Sequence, residues 1–166
     1  MIEYSFWEIV SFFGSLYFWV GLSIVCLSLF FVVPKKSRKN LFWFVFLVLP
    51  SIIIANSITY GIKIILKVPR PCAGLPNCPE SYSMPSGHTT VVFAALTSLS
   101  LHYRRKDYFL LALFFAVMVG TSRIILGVHR IPEVLVGAFI GIFVGFVIQK
   151  VYWIYYKDLE KISNRV

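Results

Sequence analysis

Charge is scarce in this chain, and acid is scarcest. Asp and Glu number 7 and Lys and Arg 16 in 166 residues, so charged residues make up 14%, where a soluble globular domain carries about 25%. That shortage excludes an ordinary soluble domain. Also missing are an internal repeat, a low-complexity tract and a linker-like stretch, which leaves no boundary within 1–166 and predicts a single domain. The leading residues MIEYSFWE hold two acids and no cation. A cleavable signal peptide opens on a basic region, so none is expected here.

What fills the space is apolar. The chain is 58% hydrophobic and 17% aromatic, with a mean hydropathy of +0.81. Crossing about 30 Å of hydrocarbon takes about 20 mostly apolar residues in a helix, because every backbone group must find its partner within the segment. Five runs qualify. The first lies within 6–33, where 2–13 can rest along the interface before a span from about Ser15. The second covers 41–66, bent or interrupted near Pro50, and the others 86–103, 108–126 and 132–156. The expected fold class is all-α: an integral membrane helical bundle of about five transmembrane helices plus a possible N-terminal interfacial helix. Trp7, Trp43 and Trp153 near span ends suit interfacial belts. Cys26 reads as a small apolar residue and His102 as a solvated helix end.

Sixteen cations in a basic chain suggest nucleic acid, but here they are parcelled between apolar runs, so no nucleic-acid partner is expected. Lys35, Lys36, Arg38, Lys39, Arg104, Arg105, Lys106, Lys150, Lys157, Lys161 and Arg165 fall on one side of a five-span chain, which marks that side as cytoplasmic. Lys63, Lys67, Arg70, Arg123 and Arg130 lie at the other side and break the rule. Snorkelling to the headgroups accounts for any one of them alone. Five, with His88 and His129 between them, ask for a ligand.

In GIKIILKVPRP, Lys63 and Lys67 are four residues apart and share a helix face. Pro69 turns Val68 out of helix, so Arg70 leads into the outer loop. In GTSRIILGVHRIPE, Arg123 ends the fourth span and His129 precedes the fifth, whose first turn suits Pro132. PSGH offers a helix N-terminus, with Ser86 as N-cap and Gly87 leaving room for an anion close to the backbone. Guanidinium forks, ammonium groups and free N–H groups together predict an anion-binding cup at the outer interface, where lipid phosphates lie.

These stretches carry a resemblance. KIILKVPRP fits Lys, six residues, Arg-Pro; PSGH fits as written; SRIILGVHRIPE fits Ser-Arg, five residues, His, three residues, with Glu133 where the pattern has Asp. In this order over 63–133 they resemble the three motifs of the type 2 phosphatidic acid phosphatase superfamily. The resemblance implies a metal-independent enzyme with no cofactor. Lys63, Arg70 and Arg123 bind phosphate oxygens and Ser86 and Gly87 complete the cup. His129 is the nucleophile that becomes phosphohistidine, His88 protonates the departing lipid oxygen, and Glu133 holds the His129 imidazole. Lys67 and Arg130 fall outside the motifs and are assigned auxiliary roles in substrate approach. The implied partners are a membrane phospholipid or glycolipid substrate and the bilayer, at the periplasmic face of a bacterial inner membrane. Many bacterial members have six spans, and the span this chain lacks precedes the motifs.

Cys72 and Cys78 lie in the expected outer loop, where an oxidising compartment permits a disulfide between them rather than two free thiols. The short stretch between the first two motifs most resembles the branch acting on lipid A 1-phosphate. Undecaprenyl diphosphate, phosphatidylglycerol phosphate, phosphoryl transfer to a second lipid, and a lipid-binding or transport protein with a degenerate site are the alternatives.

Overall fold

In hydrocarbon a backbone must satisfy its own hydrogen bonds, and the described chain does so through helices. The computed structural model describes the backbone of residues 2–163 and the side chains of residues 5–155 other than Lys39. Its elements are α1 (Ile2–Phe12), α2 (Leu16–Phe30), α3 (Lys35–Leu66), α4 (Gly87–Tyr103), α5 (Lys106–Ile125) and α6 (Ile131–Ser163). Of the eleven cations expected on the cytoplasmic side, the side chains of Lys39, Lys157, Lys161 and Arg165 lie outside the described ones.

Three helices, α3, α5 and the 131–155 part of α6, are long and apolar enough to cross a membrane alone. The α1–α2 pair reaches that length together, bent by 54° at its break. Ser15 starts α2 as its N-cap, accepting a hydrogen bond from the Phe18 N–H at 3.1 Å. Against the five spans expected, the described residues give three such helices, or four with the bent pair; α4, with 17 residues, rises about 26 Å. It is enclosed by α3, α5 and α6, which all pack on it. Of the bend or interruption expected near Pro50, the interruption does not occur: α3 runs through it as one helix.

Packing, not water exclusion, holds helices together in lipid, so close approach matters most. On α6, Gly137, Gly141 and Gly145 recur every fourth residue on one face, and a Cβ on Gly141 would lie 2.5 Å from the Thr90 carbonyl oxygen. Only glycine lets α4 and α6 touch backbone to backbone there. Phe139, Phe143 and Phe146 are exposed on α6 and form its lipid-facing side. Around α4, Trp19, Val48, Ile52, Val92, Phe93 and Val119 build the core. Ser23, Ser51 and Ser100 donate to the carbonyls of Trp19, Leu47 and Leu96 one turn back, at 2.8, 2.6 and 2.6 Å, which keeps these hydroxyls satisfied inside the bundle.

His102 is half-buried rather than solvated, its ring 5.9 Å from that of Trp43 and 5.6 Å from that of Tyr152. Aromatic rings at this end of the bundle close over it. The C-terminal end of α3, the start of α4, the end of α5 and the start of α6 meet at the opposite end. The signature residues come from these four places and from the loops that follow α3 and α5.

Candidate active site

The loop between α3 and α4 folds by binding the cations around it. Leu66 ends α3, and Lys67 takes a left-handed conformation with φ of 48° while its N–H bonds the Lys63 carbonyl at 2.9 Å. The chain leaves the helix here, so Lys67 does not share the inward face of Lys63: Lys63 is buried and Lys67 exposed. The Lys63 ammonium donates to the carbonyls of Tyr82 and Ser83, the latter at 3.3 Å. Arg70 clamps the same strand of loop. Its Nε donates to the Ser81 carbonyl at 2.7 Å and its Nη2 to Ser81 Oγ at 2.8 Å. Cys72 and Cys78 are joined by a disulfide that closes the loop tip.

Arg70 also reaches the chain after α5. Its Nη1 donates to the Val128 carbonyl at 3.2 Å and lies 3.1 Å from His129 Nε2. A guanidinium only donates, so Nε2 accepts and the imidazole proton is on Nδ1. There Glu133 Oε2 accepts it at 3.0 Å. Ser83 Oγ and the Arg130 backbone N–H donate to the same carboxylate oxygen, the latter at 3.0 Å. The carboxylate is thus fixed from three sides, and it fixes the tautomer that leaves Nε2 with a lone pair. Burial, reinforced by the charges of Arg70, Arg123 and Lys63, pushes the His129 imidazole down to about 2, so it is neutral at ordinary pH.

The Ser86 N–H donates to the Glu133 carbonyl at 3.0 Å, which ties the start of α4 to the start of α6. Ser86 is the N-cap of α4, but its Oγ accepts from Thr89 Oγ1 at 2.9 Å and it stays behind the cavity wall. Arg123 donates to Ser11 Oγ of α1. Its carbonyl accepts from the His129 N–H at 3.1 Å, so one residue links α1, α5 and the loop before α6.

Lys63, Arg70, Gly87, His88, Arg123 and His129 line one cavity of about 350 Å³. A Cβ on Gly87 would meet nothing nearer than Thr59 Cγ2 at 3.9 Å, so glycine leaves open space rather than easing a contact. Between α2 and α3 the cavity is walled by Leu16, Tyr17 and Tyr60. A second cavity of about 530 Å³, between α1 and the disulfide loop, adjoins it and shares His88 and Arg123. Glu133 holds His129 from behind. Lys67 and Arg130 are exposed and line neither cavity.

The charge count of this site is uneven. Lys63, Arg70, Arg123 and Glu133 are each 3 to 9% exposed, which sets three cations against one carboxylate: 3 − 1 leaves two positive charges. Buried charge is costly unless it is paired. A phosphate monoester, with a charge of about −1.5 to −2 at neutral pH, balances that surplus.

Sequence reasoning missed several groups here. Ser81 and Ser83 lie between the first two motifs, and an SYS segment between cations is a weak signal. Ser11, 112 positions from the Arg123 it bonds, and Gly14, where a Cβ would lie 2.5 Å from Val119 Cγ1 and 3.0 Å from His88 Cβ, gave none, because only the folded chain seats the α1–α2 bend on His88.

Comparison with known proteins places the family and the fold. The family model of the PAP2 superfamily matches residues 43–157. A lipid A 4′-phosphatase of Porphyromonas gingivalis is 30% identical over 146 residues, which cover 81% of this chain and 61% of that protein, so the chain spans about three fifths of this relative's length. Among solved structures, a transmembrane PAP2-type phosphatidylglycerolphosphate phosphatase from Bacillus subtilis superposes with a TM-score of 0.74 at 22% identity, over 90% of this chain and 76% of that one. LpxE of Aquifex aeolicus superposes with a TM-score of 0.68 at 27% identity, over 90% and 86%.

Proposed function

The chain belongs to the PAP2 superfamily, and from that premise we propose that it is a membrane lipid phosphatase working through a phosphohistidine. The observation that carries this reading is the pair of surplus positive charges buried around a neutral imidazole whose Nε2 holds a lone pair. The phosphoryl group enters the cup and takes Arg70 away from Nε2. Lys63, Arg70, Arg123 and the N–H groups at the start of α4 then hold its oxygens.

His129 Nε2 attacks phosphorus, and the bond from phosphorus to the lipid oxygen breaks. His88, protonated once the bound phosphate offsets the cations around it, gives that oxygen a proton and the lipid alcohol departs. Glu133 stabilises the positive charge that develops on the imidazole as its Nδ1–H stays bonded. Water then attacks phosphorus while His88 takes its proton, the P–N bond breaks, and inorganic phosphate leaves with His129 restored. Fixed cations provide the charge neutralisation that magnesium ions supply in other phosphoryl transfers.

The substrate we assign is a phosphate monoester of lipid A, at the 1-position. The short loop between the first two motifs and the balance of two surplus charges against a monoester support it. The P. gingivalis relative is a 4′-phosphatase, so both positions belong in the test. The site end of the bundle is assigned to the periplasm of a bacterial inner membrane, because Lys35, Lys36, Arg38, Arg104, Arg105, Lys106 and Lys150 lie at the other end and a disulfide is compatible with an oxidising compartment.

The purified protein is to be given lipid A 1-phosphate, lipid A 4′-phosphate, phosphatidylglycerol phosphate and undecaprenyl diphosphate. Phosphate release is expected to be fastest from the 1-phosphate, to persist in EDTA, and to stop with vanadate, a five-coordinate mimic of phosphorus in the transition state. Activity lost in EDTA and restored by magnesium would overturn the mechanism, and release from none of the lipids would overturn the function.

A further inference from the structure

Several helix hydroxyls in this chain follow a habit. Ser23, Ser28, Ser51, Thr90 and Ser100 each donate to the carbonyl one turn back, at 2.6 to 3.0 Å. Thr59 of α3 does not. It is 2% exposed and its Oγ1 is buried with no hydrogen-bond partner, and it lines the same 350 Å³ cavity as the phosphate-binding groups. A buried hydroxyl without a partner costs free energy until one arrives.

Its position says what kind of partner. Thr59 precedes Lys63 by one turn, about 6 Å along the axis and deeper in the bundle. Asn56 and Tyr60 line the cavity beside it, and Asn56, Thr59 or Tyr60, and Lys63 succeed one another on a single helix face. Across the cavity stand Gly87, and Leu16 and Tyr17 of α2. A polar rung therefore lies just membraneward of the cup. Threonine populates two χ1 rotamers in a helix, which exchange its methyl and its hydroxyl, so the hydroxyl can turn to a bound oxygen.

We propose that Thr59, with Asn56 beside it, forms a subsite for an oxygen of the lipid a few bonds from phosphorus. A sugar or glycerol backbone carries such ester, ring or hydroxyl oxygens. A polyprenyl chain offers only carbon and hydrogen beyond its phosphate ester. The subsite thus selects glycolipid or glycerolipid phosphates over polyprenyl phosphates. It rests on the phosphatase reading and narrows its substrate class.

The test compares kcat/KM for lipid A 1-phosphate with that for undecaprenyl phosphate in the wild type, Thr59→Val and Thr59→Ser. Valine keeps the shape and removes the hydroxyl; serine keeps the hydroxyl. The selectivity ratio is expected to fall about tenfold in Thr59→Val, the scale of one neutral hydrogen bond, and to be kept within about threefold in Thr59→Ser. The ratio of dissociation constants for the two lipids, measured in the His129→Ala background, is expected to move with it. An unchanged ratio in Thr59→Val overturns the subsite, and so does an equal loss on both lipids, which means that the residue supports the cup or the fold. The binding ratio decides the matter even where turnover is absent, whereas a wild type that releases phosphate from no lipid speaks against the phosphatase reading alone.

Discussion

Replacing His129 with alanine is expected to lower turnover on the order of 10⁴-fold or more, the scale of losing a covalent nucleophile, while the protein stays folded. The fold survives because neither neighbour is stranded. Glu133 keeps the Ser83 hydroxyl and the Arg130 N–H as donors, and Arg70 keeps Ser81 and Val128. Phosphate release measured beside gel filtration and circular dichroism separates the two effects. A His129→Ala protein that retains most of its activity would show that another group attacks phosphorus.

The second large effect lies far from the chemistry. A Cβ on Gly141 meets the Thr90 carbonyl oxygen at 2.5 Å, Phe93 Cβ at 2.7 Å and the Ala94 nitrogen at 2.9 Å. Two of these three are backbone atoms, which cannot rotate away, so α4 and α6 must part. Those helices carry His88 and Glu133. Gly141→Leu is therefore expected to prevent accumulation of folded protein, well beyond the ~1–3 kcal/mol of ordinary overpacking. Gly21→Leu and Gly61→Leu, at positions with nothing within 4 Å, serve as controls and leave a normal gel-filtration peak. A monodisperse Gly141→Leu protein with wild-type thermal stability would mean that the two helices are not packed this way.

Much of this arrangement is legible in the sequence, and the reasons are physical. Hydropathy reports hydrocarbon, so the spans from 86, 108 and 132 coincide closely with α4, α5 and α6 at their starts. It is silent about charged extensions, which is why α3 begins at Lys35 rather than residue 41 and α6 runs on to Ser163. The N-cap at Ser86 follows from local chemistry. Motif spacing brings Lys63, Arg70, His88, Arg123 and His129 into view because helix ends gather them at one end of the bundle.

Contacts between distant segments are another matter. Ser11 on Arg123, Gly14 against His88 and Ser83 on Glu133 depend on how the α1–α2 bend and the 67–86 loop seat, which no periodicity records. The four-residue spacing of Gly137, Gly141 and Gly145 signals a close contact, and only the folded chain names α4 as the partner. Thr59 looks like any helical threonine until its hydroxyl is found without the usual carbonyl.

The central claim is a bond between phosphorus and His129, and rapid quenching reads it directly. Wild-type protein mixed with lipid A 1-phosphate labelled in the phosphate, then stopped in alkali within milliseconds, is predicted to carry acid-labile, alkali-stable label that peptide mapping places on His129. A full burst of dephosphorylated lipid with no label on the protein, or label on any other residue, would contradict the account.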